Sequence, residues 1–342
     1  MRFTLMLWLY LMATGAAFTQ ELTGFAFDAF TNSLDNQEVE GHVIGGLSGI
    51  TYDEQTGRFL AITDNSETKN NRTRKANIYS FLMIRDTDNN LKIEDLQVVS
   101  LKGDLANINP ESIRILGDEY IIADEAISTT RLLKTSKDGK LIAELHQMSG
   151  IRYNSGFEGT CISEDQKHIY FSMERPAEEQ IASRGTEEGN LGVLNLYRYN
   201  FETEEVDGQY LYPLHLPPAT ASLNEDQRKN FMRDNGVTEI VFYNDSTLLT
   251  LERAFLGPGQ KKLHVRIYKT TLSNDYNIFE GNFNLLKPEL LFDLYDEDLP
   301  CGVDNIEGMT FGPGKKQLFL IADDNFDHYG AQTTQIISLN VK

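Results

Sequence analysis

Positive charge is scarce in this chain: 31 Lys and Arg stand against 51 Asp and Glu in 342 residues, a formal net charge of -20. An excess of that size repels phosphate backbones and anionic bilayers, which excludes nucleic acid and the membrane surface as principal partners. A phosphorylated substrate would need bound cations or a local basic patch. Cysteine is nearly absent. Cys161 and Cys301 are the two in the chain; both read as buried thiols, because free cysteine behaves as a small core residue, although pairing in an oxidising compartment stays open. Helical periodicity is also almost missing. The best window, Asn224 to Asp234, has Asn224 as a cap and Gly236 as a terminator and reads as a short surface insertion. No second long apolar run follows the N-terminal one, so no integral membrane segment is expected.

Familiar catalytic signatures are missing too. Gly46-Leu47-Ser48-Gly49-Ile50 lacks the glycine two positions after serine that a nucleophile elbow needs. There is no phosphate-cradling P-loop and no dinucleotide fingerprint. His42, His146, His168, His215, His264 and His328 form no close zinc-like pairs. Asp86, Asp88 and Asn90 open like a calcium loop, but Leu91 stands where a glycine belongs and Gln97 where the bidentate Glu belongs, so the stretch reads as a hairpin turn.

What is present begins with Arg2, an apolar run from Phe3 to Met12, and the small residues Ala13, Gly15, Ala16 and Ala17. That order is a secretory signal peptide over residues 1–19, which predicts a secreted or periplasmic protein; no cysteine near the cleavage point supports a lipid anchor. Residues 20–342 are read as one large all-β domain. Short runs rich in Ile, Leu, Val, Phe and Tyr alternate with Asn, Asp, Gly and Ser clusters throughout.

Five stretches share a layout of strand, tight turn, and strand ending in acid. They start at LSGITYD, PESIRIL, FEGTCIS, VTEIVFY and IEGMTFG. Their second strands are RFLAITDN, YIIADE, HIYFSMER, TLLTLER and QLFLIADDN. Ser48 and Asp64, Glu111 and Asp124, Glu158 and Glu174, Glu239 and Glu252, and Glu307 and Asp323 are 16, 13, 16, 13 and 16 residues apart. Further strand-like runs follow each hairpin, which makes four strands per unit and predicts a β-propeller of five four-stranded blades. Six blades are compatible with the long interval between Glu158 and Glu239. The last unit is one strand short, and Gly24 to Phe30 is placed to supply it and close the ring.

In a propeller the innermost strands line a central channel. The repeated starts would bring Glu111, Glu158, Glu239 and Glu307 to one end of it, with Ser48 in the fifth place. The second-strand ends would bring Asp64, Asp124, Glu174, Glu252 and Asp323 to the opposite end or to an adjoining rim. Carboxylates gathered in this way raise one another's pKa unless a cation neutralises them. A hard ion such as Ca²⁺, with Asn65, Asn305 and Asn325 as additional oxygen donors, is the expected answer. The plainer possibility is that these acids cap blade turns. Arg175 and Arg253 follow their acids directly and are candidates for anion contacts, or for salt bridges to the ring, as are Arg114 and Arg152.

With LSGITYD and ITDN, NPESI, NSGFEGTCIS followed by FSMERP, and DNIEGMTFGPG with LIADDNF, the sequence resembles the phytase-like family described by its esterase-like activity, from about Gly45 onward. The resemblance implies a secreted or periplasmic propeller that hydrolyses esters, including phosphate esters. Combined with the acidic ring, it gives an expected metal-assisted hydrolase of a small ester or phosphate ester. Glu158 or Glu307 would act as base, and Arg175 or Arg253 would steady an anionic group. A non-catalytic, calcium-stabilised binding propeller and a lactonase-like propeller enzyme are the alternatives. A monomer is expected.

Overall fold

The computed structural model describes residues 21–64, 75–151, 155–176, 190–217, 235–255, 263–297, 299–327 and 332–342. Residues 1–19, read as a signal peptide, the window Asn224 to Asp234, Asn65 and Arg152 lie outside them. Five four-stranded antiparallel sheets form five blades. Blade 1 is β4 (Leu47–Asp53), β5 (Arg58–Thr63), β6 (Asn77–Arg85) and β7 (Leu91–Ser100). Blade 2 is β8 (Pro110–Leu116), β9 (Glu119–Glu125), β10 (Thr129–Ser136) and β11 (Leu141–Ser149). Blade 3 is β12 (Phe157–Ile162), β13 (His168–Met173), β14 (Asn190–Asn200) and β15 (Glu205–His215). Blade 4 is β16 (Asn235–Asn244), β17 (Thr247–Phe255), β18 (Leu263–Thr271) and β19 (Glu289–Asp293).

Blade 5 is built from both termini. β20 (Ile306–Phe311), β21 (Gln317–Ala322) and β22 (Ile336–Val341) come from the end of the chain, and β1 (Phe25–Thr31) completes the sheet by pairing with β22. The fourth strand therefore comes from where the sequence places it. A small hairpin, β2 (Glu38–Val39) with β3 (His42–Val43), follows β1. The five-blade count holds, and no described helix is long and apolar enough to cross a membrane.

Each junction between blades carries its own hydrophobic layer. Ile113 and Leu133 belong to the layer between blades 1 and 2, Phe157 and Phe171 to the next, and Tyr210 and Ile240 to the third. Leu251 and Leu320 belong to the layer between blades 4 and 5, and Ile50 and Phe319 to the one that returns to blade 1. Cys161 lies in the third layer and Cys301 in the fourth, both as free buried thiols.

The inner strands β4, β8, β12, β16 and β20 pack on one another around the axis. Their approach is so close that a Cβ on Gly159 would lie 2.6 Å from the Ile240 amide nitrogen. Arg114 crosses the space between them. Its guanidinium donates to the carbonyls of Thr160 (2.6 Å), Ile50 (3.0 Å), Ile113 (2.7 Å) and Ile240 (3.3 Å) and pairs with Glu239 at 2.6 Å. One side chain thus ties blades 1, 2, 3 and 4 across the axis; the end of the ring where the inner strands begin is its mouth.

Candidate functional site: an acidic mouth

Every inner strand begins with a β-bulge. The pairing to the second strand shifts register between Leu47 and Gly49, Pro110 and Ser112, Phe157 and Thr160, Val237 and Glu239, and Ile306 and Gly308. A bulge inserts one extra residue and re-aims its side chain. The extra residues are Ser48, Glu111, Glu158, Thr238 and Glu307, and they form the inner ring of the mouth. Because each hairpin is antiparallel, the second strand ends at the same mouth, on its adjoining rim and not at the opposite end. Backbone bonds from Asp64 to Gly46, Glu125 to Asn109, Glu174 to Gly156 and Asp323 to Asn305 fix four equivalent positions, and Arg253, opposite Gly236, occupies the fifth.

The mouth therefore gathers Asp64, Glu111, Glu125, Glu158, Glu174, Glu307 and Asp323, with Arg253 from blade 4 and the neighbouring Arg175. Three residues expected there are elsewhere, each because it sits one position away from its ring equivalent. Glu239 follows the bulge residue Thr238 and lies deeper, buried against Arg114. Asp124 precedes Glu125 and faces the other side of its blade, bound by Arg131 at 2.5 Å and by the Asn109 amide at 2.9 Å. Glu252 precedes Arg253 and turns toward blade 3, where Tyr212 and His215 hold it together with Arg266 of its own blade. Successive side chains of a strand face opposite sides, so a slip of one residue removes a group from the mouth.

On the blade 2 and blade 3 side, Glu111, Glu125 and Glu158 bring carboxylate oxygens within 4.8 Å of one another, all three buried. Burial and then the charge of Glu158, followed by those of Glu125, Asp64 and Glu307, push the Glu111 carboxyl well above its usual range. Burial, Glu174, Glu125 and Glu307 do the same to Glu158. Glu125 rises to about 7 through burial and Glu174, although the Gly156 amide donates to it at 2.5 Å. Burial, Glu307 and Asp64 also raise Asp323 well above its ordinary value. Close carboxylates that cannot all ionise are the donor set of a hard divalent cation. A second feature points the same way: Glu174 is 1% exposed, and its Oε2 makes no hydrogen bond.

The other half of the mouth is balanced by arginine. Arg253 donates to Asn305 and Glu307 and reaches Glu174 Oε1 at 3.5 Å, where Arg175 also donates at 2.9 Å. Burial works against the Arg253 charge, but Glu307, Glu174, Glu158 and Asp323 hold its pKa above the usual value. Glu307 is thus engaged by a guanidinium, whereas Glu158 belongs to the carboxylate triad. Asn305 bridges Glu307 (2.9 Å) and Asp323 (3.5 Å). The Asn325 amide nitrogen donates to Asp323 at 2.7 Å.

The family model for phytase-like proteins, described as esterase-like activity of phytase, matches residues 42–326. The chain belongs to this family. Its fold agrees with the propeller that the resemblance implied. No curated protein matches. Similar solved structures include the PQQ-bound aldose sugar dehydrogenase of Streptomyces coelicolor, with 10% identity, 94% of this chain and 98% of that one covered, and a TM-score of 0.41. An endo-arabinanase of Bacillus licheniformis matches at 12%, with coverages of 86% and 93% and a TM-score of 0.43. A putative 6-phosphogluconolactonase of Bacteroides uniformis matches at 13%, with coverages of 84% and 81% and a TM-score of 0.38. At these values the likenesses say nothing about the reaction.

Proposed function

We propose that this phytase-like protein is an exported hydrolase of a small ester or phosphate ester, working at the acidic mouth with a divalent cation, Ca²⁺ in the first instance. The observation that carries the reading is the buried triad Glu111, Glu125 and Glu158, whose oxygens lie within 4.8 Å of one another. These three residues would hold the ion, and the unpartnered Glu174 Oε2 stands at the edge of the set. When bound there, a hard cation supplies Lewis-acid polarisation of the ester oxygen. Arg175 and Arg253 lie beside the triad and are suited to orient an anionic group by their planar forks.

Two measurements test the proposal. Titration calorimetry and thermal melting with added Ca²⁺ should show binding and a higher Tm, since a ligand at 100 times its Kd adds about 2.7 kcal/mol. Glu158→Gln should abolish both. Turnover of phytate or aryl esters should appear only with the cation. Binding without turnover of any ester would sink the hydrolase assignment and leave the calcium-stabilised binding propeller, which the deep burial of Glu111 and Glu158 favours.

A further inference from the structure

A second polar constellation lies at the same end of the propeller, at the junction of blades 3 and 4. His215 ends β15, and its Nδ1 lies 2.7 Å from Glu252 Oε1. Glu252 is fully buried and also accepts from Tyr212 Oη at 2.9 Å and from Arg266 Nη2 at 3.1 Å. The His215 ring stacks on Tyr268, with centroids 4.4 Å apart and planes at 11°. Its carbonyl is held by Arg266 at 2.9 Å and by Asn235 at 3.3 Å. The imidazole is thus fixed at both its ring face and its backbone.

Among the described residues, the charges facing it are those of Glu252 and Arg266, and the remaining titratable neighbours are the phenols of Tyr212 and Tyr268. Arg266 also pairs with Glu252, at 3.1 Å. A buried carboxylate that accepts from Nδ1–H selects the tautomer in which Nε2 carries the lone pair. The His215 side chain is 23% exposed, enough to meet a solute. A base oriented by a third group is a recurring arrangement for moving protons in hydrolysis.

The dyad and the mouth share strand ends. Glu252 precedes Arg253, and Asn235, which holds His215, is followed by Gly236 and Val237, which pack on and bond to Glu174. The two carboxylates expected to serve as base are both engaged elsewhere, since Glu307 is held by Arg253 and Glu158 sits in the triad.

We propose that His215 is the proton-transferring residue of this hydrolase and that Glu252 is its positioning residue. The proposal rests on the hydrolase reading for its substrate. Nε2 takes a proton from water as the water oxygen bonds to the carbon or phosphorus of the ester. The ester bond to the leaving oxygen breaks, and Nε2 returns the proton to that oxygen. A substrate reaching this group extends from the mouth over the blade 3–4 junction.

The test has a chemical arm and a kinetic arm. Diethyl pyrocarbonate, which acylates neutral imidazole, should modify His215 several-fold faster than His168, read by peptide mass spectrometry, and Glu252→Gln should abolish that advantage. Tyr212→Phe, which keeps the carboxylate, should retain most of it. In turnover assays His215→Gln should lower kcat by about 10²–10⁴ and remove the acidic limb of the pH profile, with Ca²⁺ affinity unchanged. Modification of His215 no faster than His168 would overturn the dyad even if no substrate is found. Turnover with an unchanged kcat and pH profile in His215→Gln would overturn the catalytic role while leaving the hydrolase reading standing.

Discussion

Glu125 shows how a single carboxyl registers the state of the whole mouth. The Gly156 and Ser155 amides point at it and favour its charged form, yet burial and Glu174 outweigh them and set its pKa near 7. A carboxyl whose folded pKa lies above its unfolded value near 4.5 holds its proton more tightly in the native state. The stability it confers is fully present below about pH 4.5 and is lost as pH rises through about 7. Glu111, Glu158 and Asp323 act with the same sign. Cation-free protein is therefore expected to melt at progressively lower temperature between pH 5 and 8, as followed by circular dichroism. Glu125→Gln, which keeps an oxygen acceptor without the charge, should flatten part of that slope. A Tm that climbs over this range would show that the mouth is not electrostatically frustrated.

At the scale of the element, the bulged hairpin decides which residues meet. The five hairpins were legible in the sequence because apolar alternation and turn residues repeat together. Glu111, Glu158 and Glu307 were legible because each leads its strand with a small residue directly behind it. Register was harder to read. Glu111 with Asp124 and Glu239 with Glu252, the two pairs 13 residues apart where the others are 16, are the two blades in which the apparent equivalence slips. Those shorter spacings were the available signal for Glu125, which the acid just before it, Asp124, masks in the repeat. His215 carried no such signal, since its partner Glu252 lies 37 residues away on another blade. Closeness of the inner strands makes a second expectation at this scale. Gly159→Ala places a methyl group against the β16 backbone and should cost about 1–3 kcal/mol in urea unfolding, the usual range for overpacking. Gly302→Ala, where a Cβ meets nothing within 4 Å, should be near neutral. Equal costs for the two would mean that the inner strands do not pack as tightly as their geometry requires.

Across the whole molecule, two devices hold five sheets in a ring, one radial and one circumferential. The radial one is Arg114, whose replacement by Met leaves Glu239 buried beside lost carbonyl contacts; breaking a buried pair in this way costs about 3–5 kcal/mol, measurable by urea unfolding. The circumferential one is the seam between β1 and β22. Phe25 packs edge-on against Phe292 at 6.2 Å, Thr23 and Gly24 bond to Lys342, and Asp28 accepts from Ser338 (2.8 Å) and Gln317 (2.7 Å). A chain beginning at Ser33 would lack the fourth strand of blade 5 and expose the β22 edge, a template for association between copies. Such a truncation is expected to melt at lower temperature and to form concentration-dependent oligomers, seen by light scattering. A peptide spanning Leu22 to Thr31, added in trans, should dock on that edge, reverse the added association and restore part of the Tm. The carboxylates proposed to hold the cation belong to blades 2 and 3, away from the seam, so on that proposal Ca²⁺ should still raise the Tm of the truncated protein. Loss of that response together with the seam would mean that the mouth depends on ring closure and not on its two blades alone.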